Sequence, residues 1–140
     1  MKSADERAQS IEPVMVAIEN GQLGEASAIC AALVEREPEN ADAVHLLGVI
    51  GFQGGAEPAQ ALDLIERAIA LDPHWAQFHN SRGALLYTLG RNADAEASFR
   101  LATLLKPEDS MAWNNLGNAL LRLDQVEEAE AAFRQALARP

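Results

Sequence analysis

The sequence predicts an all-α protein built from stacked helix pairs. Four kinds of residue recur at an offset of 34 positions. The pairs are Gly83 and Gly117, Ala95 and Ala129, Phe99 and Phe133, and Pro73 and Pro107. No segment alternates apolar and polar residues between turn signals, as a strand would. A repeat this short cannot bury its apolar face alone, so its copies must stack on one another.

Four copies of the repeat account for most of the chain. The last copy is the clearest, with Trp113, Leu116 and Gly117 in its first half and Ala129 and Phe133 in its second. The first copy is degenerate, and the second is one residue longer than the others. We place the copies at residues 7–40, 41–75, 76–109 and 110–140, within one domain of residues 1–140.

Each copy is predicted to hold two helices. The eight helices are predicted at about residues 4–19, 23–36, 41–53, 58–70, 75–89, 92–104, 110–122 and 126–138. Glycine inside three of the first helices, at Gly48, Gly83 and Gly117, lets paired helices approach closely despite a cost of about 1 kcal/mol in helix propensity.

Turn formers punctuate the helices in order. The turns within the pairs contain Gly21, Gly55 and Gly90, and Asp124 with Gln125 in the fourth copy. Glycine at these positions favours a left-handed turn residue. The links between copies contain Pro38, Pro73 and Pro107, and Pro58 lies near a predicted helix start, where its fixed φ is compatible with the helix.

The pattern resembles the tetratricopeptide repeat, a 34-residue motif of the form W-x2-L-G-x2-Y, then A-x3-F, then P. The resemblance covers nearly the whole chain. It implies a right-handed superhelical stack of about four helix-turn-helix repeats, with eight antiparallel helices. It also implies a concave groove formed by the first helix of each repeat, in which a segment of another protein binds.

Composition excludes several classes of partner. The chain of 140 residues has 21 acidic and 11 basic residues, a formal charge of −10. Such a chain repels phosphate groups, so we expect no nucleic-acid partner and no membrane partner. No apolar run approaches the length of a membrane span, and the first residues lack the apolar core of a signal peptide. The single cysteine, Cys30, lies on a predicted packing face, which favours a cytoplasmic location.

The residues give little support for catalysis. The three histidines are His45, His74 and His79, and their spacing does not match a metal-ligand pair. Cys30 is better explained as a buried structural thiol than as a nucleophile. We therefore expect no metal, no cofactor and no catalytic residue in this segment.

The resemblance carries the binding role to specific positions of the first helices. The predicted groove residues are Asp42, His45, Val49, Phe52, Gln53, Gln77, Asn80, Ala84, Tyr87, Thr88, Met111, Asn114, Asn115, Asn118, Leu121 and Arg122. Amide side chains can bond a peptide backbone of any sequence, because each offers donors and an acceptor. The mixture suits an extended peptide or an amphipathic helix. Two interpretations of Phe52 and Tyr87 stay open: packing between repeats, or apolar contact with the client.

Two subtypes of the family can be compared with this groove. Chaperone-binding members hold a terminal carboxylate with lysines and asparagines, whereas the predicted groove contains Arg122 as its only cation. The O-linked N-acetylglucosamine transferases have a ladder of asparagines, and Asn115 matches one rung. The segment from Ala43 to Val49 also resembles N-terminal repeats of bacterial glycosyltransferases and sulfotransferases, including some that modify flagellin.

Two further features suggest hypotheses. Arg82 stands where Leu47 and Leu116 stand in neighbouring copies, and either an internal ion pair with Asp94 or Glu96 or a partner's acid would satisfy it. The last helix has an apolar stripe and no polar capping helix after it. We interpret the chain as a fragment of a longer protein. The alternative is a homo-oligomer that stacks through this C-terminal edge.

The leading hypothesis is a module that binds a client protein segment in its groove. It could recognise substrates for a C-terminal glycosyltransferase outside this segment. A self-assembly scaffold is the alternative, and a stand-alone enzyme is the third hypothesis.

Overall fold

The computed structural model describes residues 2–139 and is all-helical over that range. The described helices are α1 (Ala4–Ser10), α2 (Glu12–Glu19), α3 (Leu23–Arg36), α4 (Ala41–Gln53), α5 (Pro58–Leu71), α6 (Ala76–Thr88), α7 (Asn92–Leu105), α8 (Ser110–Arg122) and α9 (Val126–Leu137). No strand occurs between residues 2 and 139. The predicted all-α class of helix pairs is confirmed.

The chain divides into two compact units, Met1–Pro73 and His74–Pro140. The first unit contains α1 to α5, and the second contains α6 to α9. The division falls at the proline that links the second and third predicted repeats. The outer bounds of the predicted domain, residues 1 and 140, lie outside the described residues, as does the end of the fourth repeat.

Residues 2–139 form nine helices and not the predicted eight, because the first predicted helix, at about residues 4–19, is two helices. The break lies at Ile11, which ends α1 and precedes α2. Pro13 follows at the second position of α2, where its missing N–H is tolerated but a continuous helix would lose a hydrogen bond. Val14 N and Met15 N instead both donate to Ile11 O at 3.0 Å.

The first unit has an apolar core formed mainly by α2, α3 and α4. The buried residues at its centre are Val14, Ala17, Ala26, Cys30 and Ile50. The Cys30 thiol donates to Ala43 O at 3.1 Å, and burial raises the pKa of the Cys30 thiol to about 11. Cys30 is thus a buried thiol that stays protonated, as a structural role requires.

In each helix pair of the second unit, the second helix packs against a glycine of the first helix. A Cβ on Gly83 would lie 2.6 Å from ring carbons of Phe99, and a Cβ on Gly117 would lie 2.5 Å from Phe133. The predicted close approach of the paired helices is therefore present. The side chain that packs against each glycine is the phenylalanine of the A-x3-F motif. In the first unit, Gly48 lies instead under the Ala61 carbonyl oxygen, 3.1 Å from where its Cβ would be.

Left-handed residues occupy the same register in all four turns. Gly21, Gly55 and Gly90 have φ values of 73°, 94° and 78°. Asp124 takes the equivalent position in the fourth turn with φ of 59°. The three glycine turns are confirmed, and the fourth keeps the same conformation without glycine because aspartate tolerates the left-handed region better than most residues.

Candidate functional site

In the second unit, polar side chains join the first helices of the two pairs, α6 and α8. Asn115 Nδ2 donates to Asn80 Oδ1 at 3.4 Å. Arg122 Nη1 donates to the Tyr87 carbonyl oxygen at 2.8 Å, and its guanidinium lies 3.4 Å from the centroid of the Tyr87 ring. The two pairs are seven residues apart on each helix, so they share one face and lie about 10 Å apart along it. We call this face, with the predicted groove positions around it, the α6–α8 face.

All predicted groove positions of the second unit are exposed or half-buried. They are Gln77, Asn80, Ala84, Tyr87, Thr88, Met111, Asn114, Asn115, Asn118, Leu121 and Arg122. The Thr88 hydroxyl donates to Ala84 O at 3.0 Å. The Tyr87 ring is half-buried, and the Arg122 guanidinium lies over one of its faces. Tyr87 thus contacts the neighbouring repeat while part of its ring stays exposed. The face therefore offers amides, a cation and apolar area together.

A cleft of about 750 Å³ opens beside the start of α6. Four predicted positions line it, namely Gln77, Asn80, Ala84 and Met111. Lys106 lines it as well and so adds a cation beside the predicted groove positions, among which Arg122 is the only one. Lys106 was missed because it lies in the link before Pro107 and not on a first helix. Its position at the end of α7 brings it to the start of α6, since paired helices are antiparallel.

In the first unit, two predicted groove residues do not lie on an open surface. His45 is buried, and burial lowers the pKa of its imidazole to about 4. Asp42 is buried and bonded to Arg7 of α1 at 2.9 Å. Desolvation raises the pKa of the Asp42 carboxyl despite the opposing effect of Arg7. The sequence pattern missed this because α1 lies 35 residues away from Asp42 along the chain.

The other predicted positions of α4 are more accessible. Val49 and Phe52 are half-buried, and Gln53 is exposed. Their roles in binding stay predictions, as does the choice between packing and client contact for Phe52.

Arg82 has a different neighbour from those predicted. Its Nη1 donates to the Ser98 hydroxyl at 2.6 Å. Asp94 is bonded instead to Arg91 at 2.8 Å, and Glu96 to Arg100 at 2.8 Å. Ser98 lies on α7, which is paired with α6, the helix that carries Arg82.

The edge of the second unit at α9 is apolar and open among the described residues. Leu137 is 87% exposed, whereas its equivalent 34 positions earlier, Thr103, is 3% exposed. A smaller cleft of about 440 Å³ lies beside this edge and is lined partly by Met111, Asn114 and Leu137. Self-association through this edge stays a prediction.

Between residues 2 and 139, no three His, Cys, Asp or Glu side chains converge as metal ligands would. Within the same part of the chain, none of the helices has the length and apolar character needed to cross a bilayer.

These observations define a class: helix-pair repeat proteins that carry polar and apolar side chains on the face of their first helices. The family model described as tetratricopeptide repeat matches residues 14–74, 56–104 and 81–140. The chain belongs to the tetratricopeptide repeat family. Members of this family are protein-interaction modules and are generally not catalytic.

Known proteins similar to the chain support this assignment. The Protein STIP1 homolog of Dictyostelium discoideum is 35% identical over 77 residues, which are 55% of this chain and 14% of that protein. The chain thus spans much less than two thirds of this relative. A structure of Pseudomonas aeruginosa pilF is 27% identical with a TM-score of 0.85, over 94% of this chain and 60% of that one. The O-GlcNAc transferase of Thermobaculum terrenum, in a mutant form, is 28% identical with a TM-score of 0.73, over 86% of this chain and 23% of that one.

Proposed function

We propose that the chain binds a segment of a client protein along the α6–α8 face. Two contacts between α6 and α8 carry the proposal. One joins the amides of Asn80 and Asn115, the other joins Arg122 to Tyr87, and both lie on a face that is open to solvent. The adjoining cleft of about 750 Å³ gives the client room for a side chain.

The amide pair is suited to bind a peptide backbone. In the bond between them, Asn115 uses its nitrogen and Asn80 its oxygen. Asn115 Oδ1 can accept from a backbone N–H, and Asn80 Nδ2 can donate to a carbonyl oxygen. Neither atom has another partner among residues 2–139. Such contacts recognise a backbone of any sequence, whereas Tyr87, Leu121 and the cleft would select side chains.

A peptide selection tests this proposal without knowledge of the client. Peptides are enriched from a random dodecapeptide phage library on the unaltered chain, and their affinities are measured by fluorescence anisotropy. We expect Asn80→Ala combined with Asn115→Ala to weaken binding about tenfold or more, because two backbone hydrogen bonds of about 1 kcal/mol each are lost. The fold should survive, since both partners of the internal bond are removed together.

The matched control combines Gln60→Ala and Gln135→Ala, which removes two exposed amides from second helices. It should leave the peptide affinity unchanged. Equal affinities for the unaltered chain and the Asn80/Asn115 variant would count against the α6–α8 face as the binding site.

We further infer that the client is presented to a catalytic domain of the same polypeptide, such as a glycosyltransferase that modifies flagellin. The similarity to the Thermobaculum terrenum enzyme over most of this chain supports this, as does the ladder position of Asn115. The gene's reading frame beyond codon 140 should encode a transferase domain. A frame that encodes none would overturn this inference and leave peptide binding by the α6–α8 face intact.

A further inference from the structure

A guanidinium site lies at one end of the α4–α5 pair in the first unit. Arg7 of α1 bonds two carboxylates there, Asp42 in the first turn of α4 and Asp72 directly after α5. Antiparallel pairing brings these two helix ends together, although 30 residues separate them in the chain. The side chains of Arg7, Asp42 and Asp72 are 11%, 12% and 23% exposed. The site therefore encloses most of the cation.

Helix α1 has little else to hold it in place. It is seven residues long and contains no buried residue. A helix of this length is not stable alone in water. At the end of the helix, the Ser10 hydroxyl accepts from Asn40 Nδ2 at 3.1 Å, which is an uncharged contact. The charged contact of Arg7 is thus its main anchor.

The equivalent place in the second unit is an open cleft. Gln77 occupies the register of Asp42, six residues before the packing glycine of its helix. Lys106 occupies the register of Asp72, directly before the linking proline. Both residues line the cleft of about 750 Å³. Helix α1 therefore occupies the place beside Asp42 and Asp72 in the second repeat, whereas the corresponding place beside Gln77 and Lys106 in the third repeat is an open cleft.

We propose that α1 is an internal ligand, and that a partner segment with an arginine in a short helix replaces it between Asp42 and Asp72. Arginine is favoured over lysine because a planar guanidinium can bond two carboxylates through separate nitrogens, as Arg7 does through Nη1 and Nη2. The tethered helix competes with the partner at an effective concentration in the millimolar range, so the site is partly blocked in the unaltered chain.

A peptide that copies part of the chain's own sequence allows a direct test on the 140-residue chain. The probe is KSADERAQSIE, which copies residues 2–12, and its control carries citrulline in place of arginine. We expect the Arg7→Ala chain to bind the arginine peptide at least tenfold more tightly than the unaltered chain does. The citrulline peptide should bind neither, because it has the shape of arginine without the charge.

Two further variants separate this site from the rest of the molecule. Adding Asp42→Asn and Asp72→Asn to the Arg7→Ala chain should abolish binding of the peptide. Adding Asn80→Ala and Asn115→Ala should leave it unchanged, so failure here is distinguishable from failure of the α6–α8 face. Equal binding of the arginine and citrulline peptides, or binding of neither by a folded Arg7→Ala chain, would overturn the proposal.

The unaltered chain gives a second readout that needs no variant. Excess arginine peptide should displace α1 and raise the amide hydrogen exchange of residues 4–10, and the citrulline peptide should not. Unchanged exchange of these residues at saturating arginine peptide would also overturn the proposal.

Discussion

At the scale of single residues, the glycines inside the first helices are packing positions. A Cβ on Gly83 would lie only 2.6 Å from ring carbons of Phe99, which is closer than real Cβ atoms approach. Gly24 in the first turn of α3 provides the contrast, since nothing lies within 4 Å of its hypothetical Cβ. The same residue type therefore has two different energetic roles in one chain.

We expect Gly83→Ala to lower the free energy of unfolding by about 1–3 kcal/mol, because Phe99 or the backbone must move to admit a methyl group. Gly24→Ala should raise it by about 0.5–1 kcal/mol through helix propensity alone. Urea titrations followed by circular dichroism measure both. If Gly83→Ala is as stable as Gly24→Ala, close packing is not the reason for the glycine.

At the scale of helices, local signals set the bounds. The seven helices from α3 to α9 each begin and end within one residue of prediction, because capping residues, turn glycines and linking prolines act through neighbouring backbone atoms. The Asn40 side chain shows this at the start of α4, where it accepts from Ala43 N at 3.2 Å. The break at Ile11 is also local, since Pro13 was present in the sequence and its effect was missed.

At the scale of the whole chain, a buried histidine makes stability depend on pH. Burial lowers the pKa of His45 to about 4 from an ordinary value of 6.5. As the pH falls below 6.5, the unfolded chain takes up a proton at this position and the folded chain does not. The contribution of His45 to the free energy of unfolding therefore falls as the pH drops from about 6.5 to about 4.

The expected loss from His45 between pH 7 and pH 5 is about 2 kcal/mol, from a slope of about 1.4 kcal/mol per pH unit. His45→Gln should remove this contribution, as measured by urea unfolding at the two pH values. The raised pKa of Asp42 makes stability rise as the pH falls, which opposes the effect of His45. Asp42 is present in both the unaltered chain and the His45→Gln chain, so the comparison between them isolates His45. His74→Gln is the matched control at an exposed histidine and should keep the original difference. If the His45→Gln chain loses as much stability between pH 7 and pH 5 as the unaltered chain does, His45 is not the source of the pH dependence.

The repeat length, the helix pairs, their turns and the packing glycines were determined by the sequence, because each depends on residues within one repeat. Tertiary structure alone decided which positions of the first helices are open. Asp42 and Gln77 share a register, yet Asp42 is buried beneath Arg7 and Gln77 lines a cleft. Lys106 reaches that cleft from a link that the pattern assigns no binding role. Access to a side chain depends on segments distant in the chain, and periodicity carries no information about them.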